Sequence, residues 1–114
     1  MKIYGSLDQL FADLCSFESG EWIYVNADSW GRDPTNTNFY YIPFDYLESL
    51  DGDEIYLDDE DMEMPKQVQD LGLRSWMLVS SLLYIASKKA LGGNDSSWAV
   101  DEINYFRTHD TFRT

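Results

Sequence analysis

The hydrophobic positions of this chain change period several times, and each change marks an element. Leu7, Leu10, Phe11 and Leu14 recur at helical spacing. They follow Ser6 and Gln9, which read as a capping box, so the pattern predicts an amphipathic helix over 7–16 that Gly20 ends. Residues 21–27 alternate and are rich in Trp, Ile, Tyr and Val, the pattern of a strand. Gly31, Pro34, Asn36 and Asn38 supply dense turn chemistry, so 30–38 reads as a loop. A second strand is predicted over 39–44, where Pro43 favours a sheet edge or a strand terminus. Residues 45–50 read as a helical turn, Asp51-Gly52 as a tight turn, and 54–57 as a short third strand. Pro65 and Gly72 bracket a short helix over 67–71. The strongest helical signal covers 73–91 and stops at Gly92-Gly93. Its middle is apolar almost all round, which predicts a central helix buried on most sides. Asp95 or Ser96 then caps a last helix with Ala99, Ile103 and Phe106 on one face.

These elements predict a single α+β domain, with a small sheet of about three strands and three to four helices packed on it. A length of 114 residues fits one domain. Hydrophobic residues at 44% and aromatics at 16% supply a core, which sets the chain apart from disordered acidic sequences.

Charge changes the picture from fold to partner. The net charge is −13, and it is unevenly placed. Residues 1–65 hold 16 carboxylates and only two cations, Lys2 and Arg32, whereas 66–114 hold five carboxylates and six cations. From residue 33 to residue 65 there are 11 carboxylates and no cation. Such a field repels nucleic acid and anionic membrane and raises the on-rate of basic proteins. The longest apolar stretch, 76–86, is too short for a bilayer, which needs about 20 residues. The first residues carry no apolar leader region, so a soluble, cytoplasmic protein is expected.

Eight of the thirteen residues from 51 to 63 are carboxylates. A calcium loop does not fit them: from Asp51 the fifth position is Ile55 and the glycine stands second, and from Asp59 the required glycine is missing. A solvated acidic loop is one reading. The other is an electrostatic docking surface, with Ile55, Tyr56, Leu57, Met62 and Met64 as apolar contacts. The residues expected to face a partner are Asp45, Tyr46, Glu48, Asp51, Asp53, Glu54, Tyr56, Asp58, Asp59, Glu60, Asp61 and Glu63. Trp30 joins them as a loop aromatic that serves either as an anchor or as a lid over the core. Trp22, Trp76 and Trp98 are expected in the core.

No catalytic, cofactor or metal constellation stands out. His109 is the one histidine, and its neighbour Asp110 points elsewhere on a helix, so a helix-terminal role is expected. Cys15 is the one cysteine, which leaves no intrachain disulfide, and its helical position predicts packing. Phosphate-loop, HExxH, GxSxG and CxxC patterns are absent from the sequence.

The stretch 101–112, with Ile103, Tyr105, Phe106 and Phe112, is similar to the ending of small bacterial domains found beside polymorphic toxins. The step from Pro65 through Leu71-Gly72-Leu73 is similar to theirs as well. With its size and acidity, the chain resembles the immunity proteins of polymorphic toxin and contact-dependent growth inhibition systems. That resemblance implies one partner, a toxin domain that is commonly a basic nuclease; no cofactor is expected from the residues themselves. An acidic DNA mimic and a general interaction domain without a toxin partner are the alternatives.

Overall fold

The computed structural model describes residues 1–58 and 60–112. Along the chain run β1 (Lys2–Tyr4), α1 (Leu7–Asp13), β2 (Trp22–Asn26), α2 (Ala27–Arg32), β3 (Phe39–Tyr41) and α3 (Phe44–Glu48). There follow β4 (Ile55–Leu57), β5 (Glu63–Pro65), β6 (Leu73–Leu78), α4 (Val79–Gly92) and α5 (Ser96–His109). The architecture is α+β, as the alternation of periods predicts.

Four strands pair antiparallel in the order β1-β3-β2-β6, and β4 and β5 form a separate hairpin. Because successive strand residues point to opposite faces, the sheet has two cores. Ile23, Val25, Phe39 and Tyr41 enter the first, which Leu7, Leu10 and Leu14 of the N-terminal helical segment close together with Leu82, Ile85, Ala99 and Ile103 of α4 and α5. Tyr24 and Tyr40 enter the second, closed by Leu47, Met64, Val68, Ile42 and Leu73. The acidic segment therefore has its own small core, on the side of the sheet away from the long helices.

The helix expected over 73–91 begins only at Val79; its first six residues are strand β6. The reason is a bulge. Ile23 pairs with Met77 and Tyr24 with Ser75, so Trp76 is the extra residue. Trp76 and its neighbour Met77 thus both enter the first core, which erases the alternation that marks a strand. The start of α4 has no side-chain cap; Val79 and Ser80 donate their N–H groups to the carbonyls of Glu21 and Ser19. Those acceptors lie far away in sequence, so no local signal announces the helix. Its end is legible: Gly93 adopts φ 63° and Asn94 N–H bonds the Lys89 carbonyl.

Other boundaries follow local chemistry. Ser6 caps α1 through the Gln9 N–H, and Asp95 caps α5 through the Trp98 N–H. Gly72 closes the turn Lys66–Leu71 in a left-handed conformation, φ 61°. The expected loop over 30–38 is half helix, because Asn26 caps α2 through the Ser29 N–H. Pro43 lies beyond the end of β3, an internal strand, which satisfies its need for a strand terminus. Strands β1 and β5, like β6, are additions to the expected set. Among the described residues no helix is long and apolar enough to cross a membrane.

Candidate partner-binding site

The segment over 44–65 is tied to the sheet at its start by a hydrogen bond to a carboxylate. Pro43 offers α3 no side-chain cap. Glu21, from the start of β2, takes that role: its Oε2 accepts the Phe44 N–H at 2.6 Å, and its Oε1 accepts the Tyr41 hydroxyl at 2.8 Å. A carboxylate at a helix N-terminus also meets the positive end of the dipole. The Tyr41 oxygen accepts the Glu18 N–H in turn. Burial pushes the Tyr41 phenol above its ordinary pKa, and Glu21 adds to the shift. Burial likewise raises Tyr24, with Asp58 and Glu21 as the nearby negative charges. On the far side of α3, the Gln67 amide donates to the Tyr46 hydroxyl at 2.7 Å.

The expected partner-facing carboxylates divide into two groups. One group builds turns. Asp58 Oδ1 accepts the N–H groups of Glu60 and Met62 at 2.8 and 2.9 Å, which closes the β4–β5 hairpin. Asp51 and Glu54 form a reciprocal capping box around Gly52–Glu54. The turn also brings Asp51, Asp53 and Glu54 within 4.8 Å of one another, all exposed. Their closeness follows from the capping box. Glu60 lies 4.0 Å from the Arg74 guanidinium.

Asp45, Glu48, Asp53, Asp61 and Glu63 form the second group. All five are exposed, and none has a side-chain hydrogen bond or ion pair among the described residues. Asp61 stands in the left-handed region, φ 59°, at the hairpin tip. Asp59 lies outside the described residues.

Apolar side chains are interleaved with these charges. Phe44 is 64% exposed and Leu57 61%; Leu57 pairs directly with Glu63 across the hairpin. Beside them, a groove of about 290 Å³ is lined by Trp22, Tyr24, Ile42, Phe44, Leu47 and Met62, with Glu21 and Glu63 contributing carboxylates. Trp22, expected in the core, is 38% exposed. It has the parity of Tyr24 along β2, but it stands where the acidic segment leaves the sheet uncovered. Parity alone could not have shown this. Glu21 and Phe44 carry no sequence signal for their roles, because the bond joining them spans 23 residues.

The remaining expectations need correction at four residues. Trp30 is 3% exposed and donates its indole N–H to Asn104 Oδ1 at 2.9 Å, edge-on to Trp76. It is a core residue and leaves the partner-facing set. Cys15 is exposed on a 3₁₀ turn instead of packed. Tyr46 and Tyr56 are half-buried and pack against the second core, so they support the surface from beneath. His109 ends α5, exposed and stacked on Tyr105, with its Nδ1 3.0 Å from the Tyr105 carbonyl. No protein family, curated protein or solved structure matches the chain, so its functional reading rests on this geometry.

Proposed function

We propose that this chain is an immunity-type inhibitor that binds a basic toxin domain, a nuclease by the chemistry its surface complements, in the cytoplasm. The observation that carries this reading is five exposed carboxylates without side-chain partners among the described residues of 44–65, interleaved with exposed Phe44 and Leu57, where Glu63 shares a groove with Phe44 and Trp22 and pairs with Leu57. Eleven carboxylates without a cation between residues 33 and 65 repel one another, and a cationic partner relieves that repulsion. The carboxylates attract and orient, and the aromatic and aliphatic groups hold the complex once it forms. A nuclease collects Lys and Arg to grip phosphates, and carboxylates on a rigid surface can occupy the same donors.

The test has two stages. The tagged protein is recovered from its source cells at low salt, and the co-eluting protein is identified, purified and assayed. One basic domain in near-equal amount, whose nuclease activity one equivalent of this chain abolishes, is the expected result. The combined variant Asp45→Lys, Glu48→Lys, Asp53→Lys, Asp61→Lys and Glu63→Lys then slows association by about tenfold or more and flattens its salt dependence. Several unrelated DNA-binding proteins in place of one partner would show an acidic DNA mimic. A partner whose affinity survives the five reversals would place its interface elsewhere.

A further inference from the structure

The groove of about 290 Å³ beside the acidic segment contains a polar group that the fold leaves unused. Tyr24 lies two residues along β2 from Trp22, on the same face of the sheet, and both line this groove. Tyr24 is 5% exposed, yet its hydroxyl makes no hydrogen bond among the described residues. The phenols of Tyr4, Tyr41 and Tyr46 do find partners, in Asp13, Glu21 and Gln67. Nor is the Tyr24 hydroxyl sealed off. The one fully buried side-chain nitrogen or oxygen without a partner among the described residues is Trp76 Nε1, so the Tyr24 oxygen keeps contact with solvent. Its surroundings are negative: Glu21 and Glu63 line the groove, Asp58 and Glu21 act on the phenol through their charge, and no described lysine or arginine lines it. Trp22 and Phe44, both exposed, are its aromatic walls.

We propose that this groove receives one arginine side chain of the basic partner, its guanidinium lying against the aromatic walls and donating an N–H to the Tyr24 oxygen. The inference rests on the docking surface proposed above and names the group that its groove takes. A guanidinium has a flat face that stacks on aromatic rings and N–H donors around its edge, and it is less strongly hydrated than a lysine ammonium. Its charge suits Glu21 and Glu63, whereas an apolar side chain would cover the hydroxyl and leave it unpaired. The volume lies at the small end for a binding pocket, which suits a single side chain. Arginine in an aromatic recess at an interface is also a common source of binding energy.

The experiment is a titration of the whole protein with N-acetyl-arginine amide, followed by NMR through the tryptophan indole N–H and methionine methyl signals. Trp22→Phe and Met62→Leu assign the two reporters in the groove. Both signals shift and saturate, while the methyl of Met77, buried in the first core, stays still. N-acetyl-citrulline amide, which has nearly the same shape and no charge, binds about tenfold more weakly. Tyr24→Phe removes only the unpartnered oxygen, and Glu63→Gln only a charge; each weakens the arginine probe by about threefold or more. The unchanged remainder of each variant's spectrum reports that the fold is kept. Groove signals that stay still up to about 50 mM probe overturn the proposal, since even weaker contact has no bearing on an interface. Equal affinity for the arginine and citrulline probes, or for wild type and Tyr24→Phe, overturns it too. The titration needs no toxin, so the two readings fail separately. Arginine binding with no toxin recovered from the cells would sink the immunity reading and uphold the groove's ligand. A toxin that needs the five carboxylates, with no arginine bound in the groove, would do the reverse.

Discussion

On one face of the sheet, Leu10, Leu14, Leu82, Ile85 and Ile103 come from helical segments to cover Phe39 and Ile23. On the other, Leu47, Met64 and Val68 come from a five-residue helix, a hairpin strand and a 3₁₀ turn to cover Tyr24 and Tyr40. The first cover is held by the area its aliphatic side chains bury. The second buries less and depends in addition on hydrogen bonds to carboxylates: Glu21 beneath α3, Asp58 inside the hairpin, and the Asp51–Glu54 box between them. This difference explains how so acidic a segment folds at all. Several of its negative charges are spent on backbone N–H groups, where charge strengthens the bond, and the rest point outward. It also sets an order of opening, because segments with fewer buried apolar side chains and more exposed hydrogen bonds come apart first.

The largest effect expected from a single substitution belongs to the first face. Phe39 is fully buried beneath Trp30 and Trp76, and Phe39→Ala is expected to cost about 4 kcal/mol, from lost burial and the cavity left behind. Urea unfolding should show it as a lower midpoint with the slope unchanged. Met64→Ala probes the second face. Met64 is also fully buried, and its loss is expected to cost about 2–3 kcal/mol. Hydrogen exchange distinguishes the two: Met64→Ala should speed exchange through 44–65 while α4 and α5 keep their protection. If both faces lose protection together, the covers are one cooperative unit and the contrast between them fails.

The same contrast governs what could be read from the sequence. Elements closed by neighbouring residues were legible: α1 from Ser6 and Gln9, α5 from Asp95, the turn before Gly72, and the strand at 22–26 from alternation. Elements closed from a distance were not. The bulge at Trp76 depends on β2, the start of α4 on the carbonyls of residues 19 and 21, and the start of α3 on Glu21. The candidate site was legible in charge and only partly in geometry. The sequence locates the acidic run, but it cannot tell Asp58, which builds a turn, from Asp61, which has no side-chain partner. Nor could it place Trp30 inside and Trp22 at the surface, since helix capping by Asn26 and the limit of the second cover decide those positions.

A smaller effect tests the edge of the first face. The Tyr4 hydroxyl donates to Asp13 Oδ2 at 2.6 Å, and burial first, then Asp13, raises the phenol's pKa. Tyr24 and Tyr41 are shifted the same way. A folded pKa above the unfolded value means that the native state holds the proton more tightly. The associated stability is complete below the ordinary phenol value of about 10 and is lost as pH rises through the folded values. Unfolding midpoints should therefore decline above about pH 10, in step with phenolate absorbance. Tyr4→Phe should cost about 1 kcal/mol at neutral pH and make the alkaline decline shallower. A decline of unchanged steepness in that variant would assign it to the other two phenols.

The smallest effect has the opposite sign and tests whether the outer charges of the second cover are structural. Asp53 is exposed, has no side-chain partner among the described residues, and stands within 4.8 Å of both Asp51 and Glu54. Those two use their carboxylates in the capping box; Asp53 contributes only repulsion. Asp53→Asn should therefore stabilise the fold by a few tenths of a kcal/mol at low salt, roughly the size of an exposed like-charge pair. The gain should fade at high salt as the charges are screened. Asp51→Asn, at the same separation, should not stabilise, because it weakens the capping box while relieving the same repulsion. If Asp53→Asn destabilises instead, its carboxylate has a role within the fold. The case for it as an outward, partner-facing charge would then be lost, while Asp45, Glu48, Asp61 and Glu63 would keep theirs.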